Sequence, residues 1–233
     1  MKNSNKVLIV TVLVLLLIIT VIIVSSRIIL DNTSIHDWDY SAEDITSKSF
    51  DYTDFNGIRA DGAWRISIHQ SDNYSITVEY PEDLEDKLNV STWDTELVLE
   101  NDVRWEHDHC SFRATIGMPR LSSVETEEGA SMEIENFNCD ELSIQITGAA
   151  EIRGNSNNIG NLDIRCDGAT HVNLRNSLTE NANINIKGAS RIVLNMTGGK
   201  LTGSAEGASS IVYYGDVSTQ DIETAGAVSV HHR

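Results

Sequence analysis

Leu142-Ser143-Ile144-Gln145-Ile146-Thr147-Gly148-Ala149-Ala150-Glu151-Ile152 is followed at a fixed interval by Leu162-Asp163-Ile164-Arg165-Cys166-Asp167-Gly168-Ala169-Thr170-His171-Val172. A third copy runs from Ala182 through Gly188-Ala189-Ser190 to Ile192. Before each glycine, apolar residues alternate with polar ones, the pattern of a strand with one buried and one wet face. Weaker versions centre on Gly129, Gly207 and Gly226, so the six glycines are spaced 19, 20, 20, 19 and 19 residues apart. So constant a period marks a stacked array in which each repeat buries its apolar face against its neighbours.

A repeat this short has no room for a helix, a strand and two loops. The asparagine and leucine signature of leucine-rich repeats is also missing. The expected fold is therefore all-β: a single-stranded right-handed parallel β-helix of about six coils of 19–20 residues at 121–233. Glycine would serve each corner, where positive φ or close backbone approach is needed. The first copy carries one extra residue near Glu127-Glu128, the expected place for a bulge.

Ahead of the repeats the chain also alternates with period two, in Trp64, Ile66 and Ile68, then Tyr74, Ile76 and Val78, then Leu97 and Leu99, then Phe112, Ala114 and Ile116. These predict a β-rich N-terminal part. Pro81 to Lys87 predicts a single helical turn, with Pro at its start and acids beside it. Residues 31–48 are polar, acidic and aperiodic, and read as a linker.

Val7 to Val24 is an unbroken run of Val, Leu, Ile and Thr, within the ~17–25 residues that cross a bilayer as a helix. It exceeds the ~7–15 apolar residues of a signal peptide, and Ser25-Ser26-Arg27-Ile28 is a poor cleavage site. The expectation is one N-terminal transmembrane helix at 7–30 behind a cytoplasmic stub at 1–6. Lys2 and Lys6 ahead of the run and acidic sequence behind it place the C-terminal domain outside the cell membrane.

The whole chain of 233 residues carries a formal charge of −18. Its first 27 residues hold three Lys or Arg and no Asp or Glu, leaving 14 basic against 35 acidic residues, a net of −21. Nucleic acid is excluded as a partner on this balance. Cys110, Cys139 and Cys166 are too few and too scattered for a disulfide framework. Cys166 falls at an inward position, while a Cys110–Cys139 bridge is compatible with export.

Phe55-Asn56-Gly57-Ile58, Trp64-Arg65-Ile66-Ser67-Ile68, Tyr74-Ser75-Ile76-Thr77-Val78-Glu79, Leu97-Val98-Leu99 and the Gly-Ala-Ser ladder together resemble a bacterial family. It is that of putative auto-transporter adhesins with a head GIN domain. The resemblance covers about 49–233 and implies an exported or surface protein with a β-helical body and no established activity. It supplies no catalytic or binding residues. Relatives carrying a lipid-attachment cysteine differ from this chain, whose first cysteine is Cys110.

Stacking would align Asp167, Lys187 and Glu206 just before the corners and Glu151, His171 and Arg191 just after them. Such ladders offset charge between strands, at ~0.2–1 kcal/mol per pair. An envelope polysaccharide-cleaving enzyme would need two facing carboxylates. Asp167 and Glu206, two repeats apart at ~9.6 Å, fall near the upper end of the ~6.5–9.5 Å inverting range. Lys187 would occupy the space of the sugar, so no catalytic residue is assigned. Trp105-Glu106-His107-Asp108-His109-Cys110 has metal-ligand chemistry, but strand alternation that groups His107 with His109 turns Cys110 away. His231-His232-Arg233 reads as a charged end protecting an edge. Phosphate loops, nucleophile elbows and dinucleotide fingerprints are missing, so no metal or cofactor is assigned.

The expected role is a membrane-anchored, non-enzymatic adhesion or binding module whose polar face meets a polysaccharide or a surface protein. An envelope accessory or sensor protein working through protein contacts is the alternative, and self-association of the last edge would make it a homo-oligomer.

Overall fold

In the computed structural model of the protein, residues 45–103 and 112–233 are described. They form one mixed sheet of fourteen strands. The strands are β1 (Ile45–Phe50), β2 (Gly57–Asp61), β3 (Trp64–Gln70), β4 (Ser75–Pro81), β5 (Leu88–Trp93), β6 (Glu96–Asn101) and β7 (Phe112–Met118). They continue as β8 (Ser123–Glu135), β9 (Asn138–Gly188), β10 (Arg191–Thr197), β11 (Lys200–Gly207), β12 (Ser210–Asp216), β13 (Thr219–Gly226) and β14 (Ser229–His232). The turn expected after Pro81 is a 3-10 helix, Glu82–Lys87.

The 19–20-residue period becomes the register of parallel pairing. Ser143 of β9 lies beside Ser123 of β8, Ile192 of β10 beside Val172, Gly207 of β11 beside Gly188, and Ile211 of β12 beside Ile192. Every residue read as inward before the second, third and fourth corners is buried: Leu142, Ile144, Ile146, Leu162, Ile164, Cys166, Ala182, Ile184 and Ile186. So are Ile152, Val172, Ile192 and Ile211 after the corners, while Val230 in the last repeat is only half-buried.

The expected fold class is corrected on both of its specific points. The architecture is not the single-stranded right-handed parallel β-helix, preceded by a separate β-rich part, that the repeats suggested. β2 and β3 are parallel neighbours of β8, while β4 joins β1 and β7, and β5 joins β6, in antiparallel pairs of the same sheet. Apolar alternation at a fixed period specifies which strands lie in register, and a mixed sheet satisfies it as well as a closed winding does. Nor does the structure supply the transmembrane helix: among the described residues no helix is long and apolar enough to cross a membrane. The run at 7–30 lies outside the described residues, and β1 begins inside the stretch read as a linker.

A second correction concerns the first repeat. Its register runs without a shift from Ser123↔Ser143 to Glu135↔Asn155, with no bulge. Glu128 stands beside Gly148 and takes the corner itself at φ 70°. Gly129 sits one place later with nothing within 4 Å of its would-be Cβ. The third residue of the first five copies, Ala130, Ala150, Thr170, Ser190 and Ser209, is buried inside the corner. Thr170 Oγ1 donates to Ser190 Oγ at 2.8 Å, and Ser209 Oγ donates to the Gly188 carbonyl at 3.1 Å. Small residues occupy these places because the turn leaves room for little else, and hydroxyls serve where a backbone group needs a partner.

Candidate binding face

The residues that alternate with the buried ones form exposed columns across successive repeats. Asn181 Nδ2 donates to Asn161 Oδ1 at 3.2 Å, Asn183 Nδ2 to Asp163 Oδ1 at 2.8 Å, Ser204 Oγ to Asn185 Oδ1 at 3.1 Å, and Gln145 Nε2 to Glu125 Oε1 at 3.2 Å. Each bond joins residues one repeat apart. The side chains are thereby held at the strand spacing of ~4.8 Å, and little rotamer freedom is left to lose when a ligand arrives. Each primary amide has two N–H donors, so the lateral bonds of Asn181 and Asn183 leave a second donor available.

These columns wall a groove of about 600 Å³. Ser143, Asn161, Asp163, Asn181, Asn183 and Thr202 line it, with Lys200 at one end, while Leu142, Leu162 and Ala182 border it with their side chains turned into the core. A depression of about 320 Å³ beside Gln145, Arg165, Asp167, Asn185 and Lys187 lies further along the same strands. A third, more open trough of about 650 Å³ follows the corners over Ala149, Ala169 and Ala189, with Arg65, Glu151 and His171 on its rim.

The expected charge ladders form only in part. Lys187 stands beside Glu206 in the register, and all three of Asp167, Lys187 and Glu206 are exposed. No ion pair joins them among the described residues. Lys187 lies on the strand between the two carboxylates. In the other column Glu151 receives Arg153 Nη2 at 2.8 Å from its own strand and His171 Nδ1 at 3.3 Å from the next, while Arg191 takes no part. Arg165 likewise reaches back to Asp163 on its own strand at 3.0 Å. An arginine two residues away lies on the same face and reaches the carboxylate directly, which cross-strand stacking alone does not reveal.

Two polar features were not anticipated. Arg59 on β2 spans its neighbours, donating to Glu125 of β8 at 2.7 Å and lying 3.6 Å from Glu96 of β6. The hydrogen bond Arg59 donates to Glu125 raises its pKa above the ordinary arginine value. Asn157, 2% exposed, donates to the Ile134 carbonyl at 2.8 Å and accepts the Phe137 N–H at 2.9 Å. The first is visible in sequence only once β2 is known to adjoin β8. The second breaks the apolar alternation and could have been read as a buried polar brace.

Cys139 and Cys166 are buried, and burial pushes the Cys139 thiol up to about 11 and the Cys166 thiol upward as well. Cys110 lies outside the described residues, as do His107 and His109, so the bridge and the metal cluster both fall there. Among the described residues no three His, Cys, Asp or Glu side chains are grouped to hold a metal ion. His232 stacks on the Tyr213 ring at 4.8 Å and 6°.

The sequence profile of the family described as "Putative auto-transporter adhesin, head GIN domain" matches residues 54–217. Among solved structures, a putative adhesin from Bacteroides fragilis is similar at TM-score 0.57 and 18% identity, over 81% of this chain and 97% of that one. A putative lipid binding protein from Parabacteroides distasonis gives 0.47 at 15% identity, over 82% and 98% of the two chains. A putative adhesin from Parabacteroides merdae gives 0.42 at 17%, over 83% and 98%. The Bacteroides fragilis likeness is one of fold. No curated protein matches the chain.

Proposed function

Because this chain belongs to the family described as "Putative auto-transporter adhesin, head GIN domain", we propose that it is a non-enzymatic adhesion module at the cell surface. Its amide-walled groove takes a polysaccharide. The observation that carries this reading is the set of inter-repeat side-chain bonds along that groove, Asn181 to Asn161 and Asn183 to Asp163. They preorganise a row of donors and acceptors, and a sugar presents a row of hydroxyls at its edges. Polar groups fixed in place are what orient a ligand and give a binding cleft its specificity.

The module is exported and tethered to the membrane through its apolar N-terminal segment, a reading supported by the run Val7 to Val24 and the acidic sequence beyond it. Cleavage of a glycan is disfavoured because Lys187 intervenes between Asp167 and Glu206, where the sugar would have to lie.

The experiment incubates the full-length protein, kept soluble in mild detergent, with cell-wall glycans and surface proteins, recording both retention and newly released reducing ends. Retention on glycan without release is expected. Release of reducing ends would overturn the non-enzymatic reading, and retention only on protein would redirect it to a protein ligand.

A further inference from the structure

Trp93 closes β5 with 75% of its surface exposed, more than any other large apolar side chain among the described residues. Its place in the sheet follows from the pairing. Trp93 lies beside Glu96 of β6, Glu96 beside Gly57 of β2, Gly57 beside Ser123 of β8, and Ser123 beside Ser143 of β9. Directly paired residues point to the same side of a sheet. Trp93 therefore stands in the outward column that continues through Ser143, Asp163 and Asn183 of the groove. Four strand spacings of ~4.8 Å separate it from Ser143, about 19 Å.

Hydrogen bonds tie together the stretch between them. Ser122, which also lines the groove, donates through Oγ to Asn56 Oδ1 at 3.0 Å. The Asn56 and Gly57 N–H groups donate in turn to the Thr95 carbonyl at 2.9 and 3.1 Å. Thr95 belongs to the two-residue turn that joins β5 to β6, so the tip carrying Trp93 is fastened to the strand that leads to the groove. Ser123 and Glu96 lean together over Gly57, where a Cβ would overlap Ser123 Oγ and stand 3.0 Å from Glu96 Cγ. The polar column is thus unbroken from the groove to the ring.

We propose that Trp93 is a second subsite of this face, a stacking platform for one ring of a neutral glycan whose other rings lie in the amide-walled groove. The inference rests on the glycan reading of that groove and specifies its ligand as an uncharged chain long enough to bridge the two places. The negative face of an indole suits the C–H face of a sugar ring. An aromatic side chain on a fastened tip offers that contact with few rotamers to lose. Arg59 and Arg165 are engaged by Glu96, Glu125 and Asp163, while Asp94 beside the ring and Glu141 in the groove add negative charge. An acidic sugar, or the anionic surface of a membrane, is repelled by such a face, which selects a neutral chain.

The test measures retention of the full-length protein, in mild detergent, on neutral cell-wall glycan presented as long chains and as short oligosaccharides that cannot span both places. Trp93→Ala should lower retention on long chains about tenfold and leave retention on short ones unchanged. Trp93→Phe should keep most of the long-chain retention, because it keeps a ring. Long chains should shift the tryptophan emission of the wild type and leave that of Trp93→Phe in place. Trp93→Ala that holds long chains as the wild type does, while Asn181→Ala with Asn183→Ala loses them, overturns the platform and leaves the groove standing. An equal loss on short and long chains overturns it too, as does a preference for acidic glycan or a loss seen only on surface proteins. Failure of the wild type to retain any glycan removes both readings.

Discussion

Gly168 is packed so closely against Gly148 that a Cβ on Gly168 would overlap the Gly148 carbonyl oxygen. Its φ of 137° is also one that L side chains rarely adopt. The corner column is therefore glycine for two reasons, backbone conformation and the approach of the next repeat, and each acts in the same direction.

Gly168→Ala should cost about 2–5 kcal/mol, combining positive-φ strain with overpacking. Gly129→Ala should change stability by no more than about 0.5 kcal/mol, because Gly129 is free of both constraints. Thermal and urea unfolding of the two variants check the contrast. Equal effects would mean that the glycines do not act through the corner.

Asn157→Leu removes a side chain that accepts the Phe137 N–H and donates to the Ile134 carbonyl and to Ser177 Oγ at 3.0 Å. Leaving buried backbone groups unpaired costs ~1–3 kcal/mol each, so a lowered urea midpoint is expected. Ser177→Ala should cost less, since it leaves only the Asn157 backbone N–H, a long 3.4 Å donor to Ser177 Oγ, and one amide N–H of Asn157 without that partner.

The two buried thiols should resist alkylation in the native protein. Burial pushes the Cys139 thiol up to about 11 from an ordinary value of 9.0. Its stabilising contribution is thus fully present below about pH 9 and is lost as pH rises toward 11, because the unfolded chain ionises first. Peptide mapping after iodoacetamide treatment at pH 8 should find Cys139 and Cys166 unmodified natively and modified in urea. Rapid native labelling of either would contradict their burial.

Arg59→Ala should destabilise the joint between β6, β2 and β8 by about 1–3 kcal/mol, as it removes a charge-assisted hydrogen bond to Glu125 and leaves two carboxylates on adjoining strands. Arg59→Lys should recover part of this, since a single ammonium serves Glu125 without the planar fork of arginine. Urea unfolding of both variants distinguishes charge from geometry.

The parts of the fold that were legible are those the chain repeats. Ile144, Ile164 and Ile184 announce their burial by alternation, and their spacing is the register by which the strands pair. What was not legible depends on contacts between distant, unrepeated segments. Nothing local tells Ile58 that it will lie beside Val124, or Trp64 that it will lie beside Ala130, yet these pairings merge the two halves into one mixed sheet. Glu128 hid in the same way, because an acid at positive φ looks like an inserted residue beside a glycine. For the site, the polar columns were foreseen but their partners were not. Glu151 and Asp163 turned to arginines on their own strands, and the groove emerged from amides rather than from the charged ladder.

The most direct test of the central claim is glycan retention by the full-length protein with Asn181 and Asn183 both changed to Ala. Asn181 is half-buried and Asn183 exposed, so unfolding should shift by no more than about 1 kcal/mol. Retention that falls at least about tenfold, while the matched change Asn173→Ala outside the groove leaves it untouched, is the predicted result. Retention unchanged by the double substitution would contradict the assignment of the groove as the binding site.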